Sequence, residues 1–220
     1  MLLTFDTATP LVTVALHDGD DVVLELVSER PLQHGEQLAP LIDRALRETG
    51  LVRQDLTAIG VGVGPGPFTG LRVGLVTAVT MGHALGIPVH GVCSLDALAE
   101  QALAEHDGIA ELLVATDARR KEVYWARYSR GADGAVALTE PAVDRPAELP
   151  EDVRALPTVG RGPTLYPGLF AHPLGQPLDV DPGWLGRVAL RRLATGEPMP
   201  VEPLYLRRPD ALTTAERGAS

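Results

Sequence analysis

The sequence predicts an α/β protein of two lobes, each built on a mixed sheet, with the second lobe the smaller. Three observations lead there. Three apolar runs joined by short polar turns open the chain, at 2–5, 12–16 and 22–27, so consecutive strands lie antiparallel. Helix, strand, helix, strand, helix then follow, an order that a mixed sheet covered on both faces satisfies. Near Leu112 the opening pattern starts again: strand, acidic turn, strand, turn, strand. A pattern that occurs at the start of each half is the mark of a duplicated lobe.

Each element has its own signal. The first strand stops at the turn-prone Asp6-Thr7-Ala8-Thr9-Pro10 and the second at His17-Asp18-Gly19-Asp20. Over 36–49, Leu38, Leu41, Ile42, Ala45 and Leu46 recur at helical spacing, and Gly50 supplies the stop. The run 58–63 is β-branched and glycine-rich, a buried strand. After the loop 64–70 a helix is expected over about 71–85, with Thr69 as its N-cap, Gly86 as its C′ residue and Pro88 blocking continuation. A short strand at 89–92 precedes a helix to Glu105, capped by Ser94 with Asp96 in its first turn. In the second half, strands are expected at 112–116, ending at Asp117, at 122–128 and, beyond the turn 131–134, at 135–138. Proline crowds 141–182, so that stretch is expected to be partly irregular, with one helix at about 184–193. These signals divide the chain into a first lobe over 1–108, a second over 109–209 and a flexible tail over 210–220.

Composition narrows the function. The 220 residues are 45% hydrophobic, an ordinary globular value, and no apolar run is long enough to span a bilayer. The N-terminal residues lack the basic and long apolar blocks of a secretory signal. A single cysteine, Cys93, excludes an intrachain disulfide and a cysteine zinc site, and points to a reducing cytoplasm. The formal net charge of -10 repels polyanions, and the basic residues are scattered apart from Arg119-Arg120-Lys121 and the set Arg187, Arg191, Arg192, Arg207 and Arg208. RNA is therefore expected to be reached through a partner.

Two segments carry candidate chemistry. Asp6 and Thr7 after the first strand place a carboxylate and a hydroxyl where a metal and phosphate can be positioned, or where the side chains cap their own turn. The loop 64–70 joins a buried strand to a helix N-terminus, where free N–H groups attract anions. Pro65 and Pro67 have no N–H, which leaves Gly66, Phe68, Thr69 and Gly70 to donate. Gly66 and Thr69 join Asp6 and Thr7 as nucleotide or anion contacts. The loop lacks the Gly-Lys-Ser/Thr ending of a P-loop and reads equally as a rigid connector passing close to its neighbour. Beyond it, the helix is apolar in nearly every direction, with Gly74 and Gly82 admitting another backbone, so it needs cover on all sides. The six histidines show no metal-binding pair, Ser94 lacks a nucleophile elbow, and no metal site is expected.

Taken together, these motifs resemble a known family. Leu3-Thr4-Phe5-Asp6-Thr7-Ala8-Thr9, His34-Gly35-Glu36-Gln37-Leu38-Ala39-Pro40, and Gly62 through Gly74 with its Gly-Pro-Gly-Pro-Phe-Thr-Gly loop are similar to the TsaB (YeaZ) family. So are Gly91-Val92-Cys93-Ser94-Leu95-Asp96-Ala97-Leu98-Ala99, Asp117-Ala118-Arg119-Arg120-Lys121-Glu122-Val123-Tyr124-Trp125-Ala126, and Pro203-Leu204-Tyr205-Leu206-Arg207. The order and spacing match over nearly the whole chain, least distinctively in the proline-rich middle of the second lobe.

The resemblance implies an actin-like, Hsp70-like (ribonuclease H-like) fold of duplicated halves. It implies a part in making N6-threonylcarbamoyladenosine beside the anticodon of tRNA, paired with a catalytic TsaD-like subunit and joined by a TsaE-like ATPase. The partner interface it implies lies on the helices after His34 and after the Gly-Pro loop, with His34, Leu38, Leu41, Arg72, Val73, Leu75 and Val76 as contacts. The same surface is expected to form homodimers when the partner is absent. No cofactor is expected on the chain alone, with ATP or ADP allowed at the complex interface. TsaD-like proteins carry two metal-binding histidines four apart where this chain has Ser94-Leu95-Asp96-Ala97-Leu98, so a non-catalytic sister is expected. The competing expectation is an independent nucleotide-dependent kinase or ATPase of the same superfold, using Asp6, Thr7 and Asp117.

Overall fold

The computed structural model describes residues 1–28 and 30–207; the expected tail over 210–220 and Arg208 lie outside the described residues. The three opening runs form β1 (Leu2–Asp6), β2 (Thr13–His17) and β3 (Val22–Val27), antiparallel in sequence order. β4 (Ala58–Gly62) and β5 (Val89–Val92) add in parallel on the other side of β1, giving the order β3-β2-β1-β4-β5. The second half repeats this plan. β6 (Glu111–Asp117), β7 (Val123–Arg130) and β8 (Ala135–Ala137) are antiparallel, with β9 (Ala142–Asp144) also pairing β7. β10 (Pro157–Val159) and β11 (His172–Pro173) add in parallel beyond β6, so the order β11-β10-β6-β7-β8 is the first sheet read backwards. The duplicated actin-like arrangement is thus visible in strand order and direction. Sequence pattern missed β9, β10 and β11, which are too short to display a period.

The helices are α1 (His34–Thr49), α2 (Phe68–Leu85), α3 (Ser94–Glu105), the single turns α4 (Glu151–Arg154) and α5 (Gly162–Leu165), and α6 (Pro182–Thr195). Gly50, Gly86 and Gly196 end α1, α2 and α6 in left-handed conformations, where glycine pays no Cβ penalty. The two expected hydroxyl caps are corrected. Pro67 and Cys93 occupy the N-cap positions of α2 and α3, and Thr69 and Ser94 lie inside the first turn. The side chain that does cap is Asp181 on α6, accepting from the N–H groups of Gly183 and Trp184 at 2.9 and 3.1 Å.

The layers run α1 and α2, first sheet, α6 and α3, second sheet, then α4 and α5. Leu3, Phe5, Val14, Leu16, Ile59 and Val61 meet Leu38, Ile42, Ala45, Leu71, Leu75 and Ala78 in the first core. The inner helices are exchanged relative to chain order. α6, from the end of the chain, lies on the first sheet, where Gly60 faces Leu185 and Ala189 and the Thr4 hydroxyl donates to the Pro182 carbonyl at 2.7 Å. α3, from the first half, packs on the second sheet with Leu112, Val114, Ala126 and Tyr128. No helix among the described residues is long and apolar enough to cross a membrane.

Candidate interaction surface and interlobe cleft

The acidic turn after β1 is sealed. Asp6 is fully buried; its Oδ1 accepts the Ala8 N–H at 2.7 Å and its Oδ2 accepts the Ser94 hydroxyl at 2.5 Å. Burial pushes its carboxyl above the ordinary value of 3.8, against the pull of the bonds from Ser94, Ala8 and Thr9. Thr7 is equally enclosed, with its hydroxyl donated to the Gly70 carbonyl at 2.9 Å. Of the two readings of this turn, the side chain bonding its own backbone is the one present for Asp6, and Ser94 serves it rather than a helix cap.

The glycine loop is the seat of that turn. A Cβ on Gly66 would come within 2.7 Å of the Ala8 carbonyl, and one on Gly70 within 2.5 Å of the Thr7 carbonyl. The loop therefore acts as a close-passing connector, holding the start of α2 against the end of β1. The ring of His34 touches the same turn through Nε2, 2.8 Å from the Thr9 carbonyl. Of the four proposed nucleotide or anion contacts, Asp6, Thr7 and Gly66 are buried and Thr69 alone is exposed, at the rim of the cleft between the lobes. The part of that cleft among Thr9, His34, Thr69, Thr116, Asp117 and Arg161 encloses about 160 Å³, and an adjoining part beyond Pro67 and Arg119 about 190 Å³. Small-molecule sites typically enclose roughly 300–1,000 Å³.

The outer layer divides the expected interface residues in two. Leu38, Leu41 and Leu75 belong to the chain's own core, and His34 is buried beside the β1 turn. These four are buried in the chain itself, with His34 reaching the interlobe cleft and Leu41 edging a pocket beside α1, so they offer far less surface than was expected of them. Arg72 and Val76 are exposed, and Val73 is half-buried. The reason lies in a stripe of small residues: Gly70, Gly74, Ala78 and Gly82, four apart, form the buried side of α2. The backbone they admit is the chain's own. A Cβ on Gly74 would lie 2.5 Å from the Thr7 Oγ1, and one on Gly82 would lie against Val89. The opposite side carries Val76, 61% exposed, and Val79, 52% exposed. Between α1 and α2 runs an apolar groove of about 410 Å³, lined by Ala39, Ile42, Leu46, Thr77, Met81 and Leu85. Sequence reasoning counted Val79 and Met81 among the apolar positions of this helix but did not assign them to its outer side; the four-residue spacing of small side chains was the signal that could have done so.

A third feature sits where α2 begins. Arg119, Arg120 and Lys121, at the tip of the β6–β7 hairpin, have φ of 61°, 52° and 63°. Left-handed backbone costs an L-residue roughly 1–2 kcal/mol, and no glycine or asparagine eases it here. The turn is held by the Asp117 carboxylate, which accepts the Arg119 N–H at 2.8 Å, and by the Glu122 N–H donating to the Arg119 carbonyl at 2.9 Å. Beside it Phe68 and Tyr205 stack at 5.1 Å between centroids, and the Arg72 guanidinium lies 5.0 Å over the Phe68 ring.

Comparison with known proteins follows the same lines. A family profile described as TsaD, tRNA N6-adenosine threonylcarbamoyltransferase, matches residues 27–156. The tRNA threonylcarbamoyladenosine biosynthesis protein TsaB of Escherichia coli is 35% identical over 222 residues, which cover 94% of each chain. An uncharacterized protein of Mycobacterium tuberculosis is 45% identical over 212 residues, covering 96% of this chain and 93% of its own. The solved structure of YeaZ from Pseudomonas aeruginosa superposes with a TM-score of 0.77 at 28% identity, covering 93% of this chain and 99% of that one.

Proposed function

The chain belongs to the TsaB (YeaZ) family and takes part in tRNA threonylcarbamoyladenosine biosynthesis; from that premise we propose that it is the non-catalytic subunit that binds and activates a TsaD-like catalytic partner. The observation that carries this reading is the apolar strip on the outer side of α2, where Val76 and Val79 stand in water beside the α1–α2 groove. An exposed apolar helix face of this kind marks a protein contact. The commitment of Asp6 to Ala8 and Ser94, and of Thr7 to Gly70, supports a scaffold, since Asp6 and Thr7 are the groups that the kinase reading would need free.

In this reading the same strip pairs two copies when the partner is absent, a TsaE-like ATPase joins the assembly, and any ATP or ADP sits at the complex interface rather than on this chain alone. The work is cytoplasmic. An independent kinase or ATPase is disfavoured by a cleft of two small parts, about 160 and about 190 Å³; calorimetry with ATP and magnesium, showing tight binding and turnover by the isolated chain, would restore it.

Co-purification tests the proposal. Val76→Asp places a charge on an exposed position, so the fold should persist with stability changed by no more than about 0.5 kcal/mol. Burying that unpaired charge against a partner costs roughly 2–3 kcal/mol, a loss of about 30- to 150-fold in affinity. Recovery of the variant with the same partner in the same yield would refute the assignment.

A further inference from the structure

We propose that residues 199–207 form a strap fastened over the mouth of the interlobe cleft, and that a partner docking on the outer side of α2 unfastens its tip. The proposal deepens the reading above by giving partner binding a consequence inside this chain, and only the trigger rests on that reading.

The strap begins just beyond α6. Pro198, Pro200 and Pro203 keep it from continuing as a helix, and no helix or strand forms over 198–206. Its first part is bonded into the first lobe. The Gly91 N–H donates to the Met199 carbonyl at 3.0 Å, and the Leu204 N–H to the Val63 carbonyl at 2.9 Å. Val201 and Leu204 pack on the first core, and Gly91 leaves room for the Pro200 carbonyl where a Cβ would otherwise stand.

The tip is held differently. The Tyr205 ring lies on that of Phe68, the first residue of α2, at 5.1 Å between centroids. Two residues on, the Arg207 guanidinium pairs with Glu122 and donates to the Arg119 carbonyl at 3.4 Å, both on the β6–β7 hairpin of the second lobe. The tip thus bridges the lobes across the 190 Å³ part of the cleft, which Gly66, Tyr124 and Leu206 also line. Beneath it the direct bond between the lobes is long, with the Tyr124 hydroxyl 3.5 Å from the Gly66 carbonyl. The ring contact and the ion pair close this end of the cleft where that bond is weak.

The ring contact is also where the strap meets the face offered to a partner. Phe68, Arg72 and Val76 are spaced four apart and Val79 three further, so they rise along one side of α2. The Arg72 guanidinium lies 5.0 Å over the same Phe68 ring, and Phe68 and Tyr205 are each 43% exposed. A molecule laid along Val79 and Val76 reaches Arg72 next. Drawing Arg72 and Phe68 to itself takes the ring from under Tyr205, while the buried first part of the strap keeps its bonds. Fastening and docking then oppose each other, and each weakens the other by the same factor.

Hydrogen exchange in peptides covering 118–122 and 203–207, corrected for intrinsic rates, tests the proposal together with partner affinity. In the full chain alone, Tyr205→Ala should quicken exchange in both peptides by about two- to tenfold, the worth of one aromatic pair. Glu122→Gln, made on the other lobe, should quicken it in the same two places. Adding the partner to the parent chain should slow exchange in α2 and quicken it in both peptides. Tyr205→Ala should bind the partner about two- to tenfold more tightly, because docking no longer works against the ring pair. Unchanged exchange in both variants of the chain alone would overturn the strap. Equal or weaker partner affinity of Tyr205→Ala would overturn its release, as would unchanged or slower exchange over 203–207 in the complex. Should the parent chain bind no partner, the reading above fails and the release with it, while exchange in the chain alone still decides whether the strap is fastened.

Discussion

Replacing Gly74 by alanine isolates the contact that sets α2 against the end of β1. In an ordinary helix the change stabilises by about 1 kcal/mol, because alanine loses less backbone freedom. Here the new Cβ would stand 2.5 Å from the Thr7 Oγ1. Relief requires the Thr7 hydroxyl to rotate away, which breaks its 2.9 Å bond to the Gly70 carbonyl inside a fully enclosed turn. An unpartnered buried hydroxyl costs roughly 1–3 kcal/mol and a strained rotamer roughly 0.5–1.5 more. Gly74→Ala should therefore destabilise by about 0.5–3.5 kcal/mol. With Thr7→Ala already in place, the nearest atom is the Cβ of residue 7 at 3.6 Å, ordinary van der Waals contact. In that background the helix preference should emerge and the same change should stabilise by up to about 1 kcal/mol. Urea unfolding of the four proteins, with the m-value unchanged, measures the cycle. An effect of Gly74→Ala that is equal in both backgrounds, within about 0.5 kcal/mol, would show that the Thr7 contact does not govern the seating of α2.

Other consequences are as direct. Leu75→Asp, next to the tolerated Val76→Asp, buries a charge in the first core and should abolish the cooperative unfolding transition, measured by circular dichroism. Asp6 is protonated more readily in the folded chain than in the unfolded one, so its contribution to stability is full below about pH 4 and is lost as pH rises through the folded-state value. The stability advantage of the parent over Asp6→Asn should accordingly shrink as pH rises above the ordinary carboxylate value of 3.8 and level off once the raised folded-state value is passed; an advantage that grew with pH would contradict the burial argument. At the hairpin tip, Arg120→Gly should exceed Arg120→Ala in stability by about 1 kcal/mol, or roughly 2–4 °C in Tm, the reverse of their order in a helix.

The elements most legible in the sequence are those whose signals are local. The strand triplets beginning at Leu2 and Glu111, the helix stops at Gly50 and Gly86, and the restart of the pattern near residue 112 all follow from short-range periodicity and turn chemistry. What was not legible depends on distant partners. Ser94 has the residue type of a cap, yet its hydroxyl is taken by Asp6, 88 positions earlier in the chain. Leu38, Leu41 and Leu75 look as apolar as Val76 and Val79, and composition alone cannot say which face is inward. The left-handed turn at 119–121 carries none of the residues that usually announce one. β10 and β11 are three and two residues long, below any detectable period, and only their pairing beyond β6 completes the duplication.

The exchange of α3 and α6 bears on the proposed role as a binding subunit. The two helices meet between the sheets, and their contact is polar as well as apolar. Asp96 on α3 pairs with Arg192 on α6 at 2.7 Å and accepts the Tyr128 hydroxyl from β7 at 2.7 Å, while Glu100 pairs with Arg191 at 2.7 Å. Each lobe is thus covered by a helix drawn from the other half of the chain, and the pairs are largely shielded from water, so separating the lobes would strand charges away from their partners. An enzyme that closes over a nucleotide gains from lobes that hinge. A subunit whose task is to present α2 gains from lobes that do not, because a face held in place before binding has less freedom to lose on binding. The sealed acidic turn and the pinned inner helices fit the proposed scaffold role, in which the exposed outer side of α2 is the face offered to a partner.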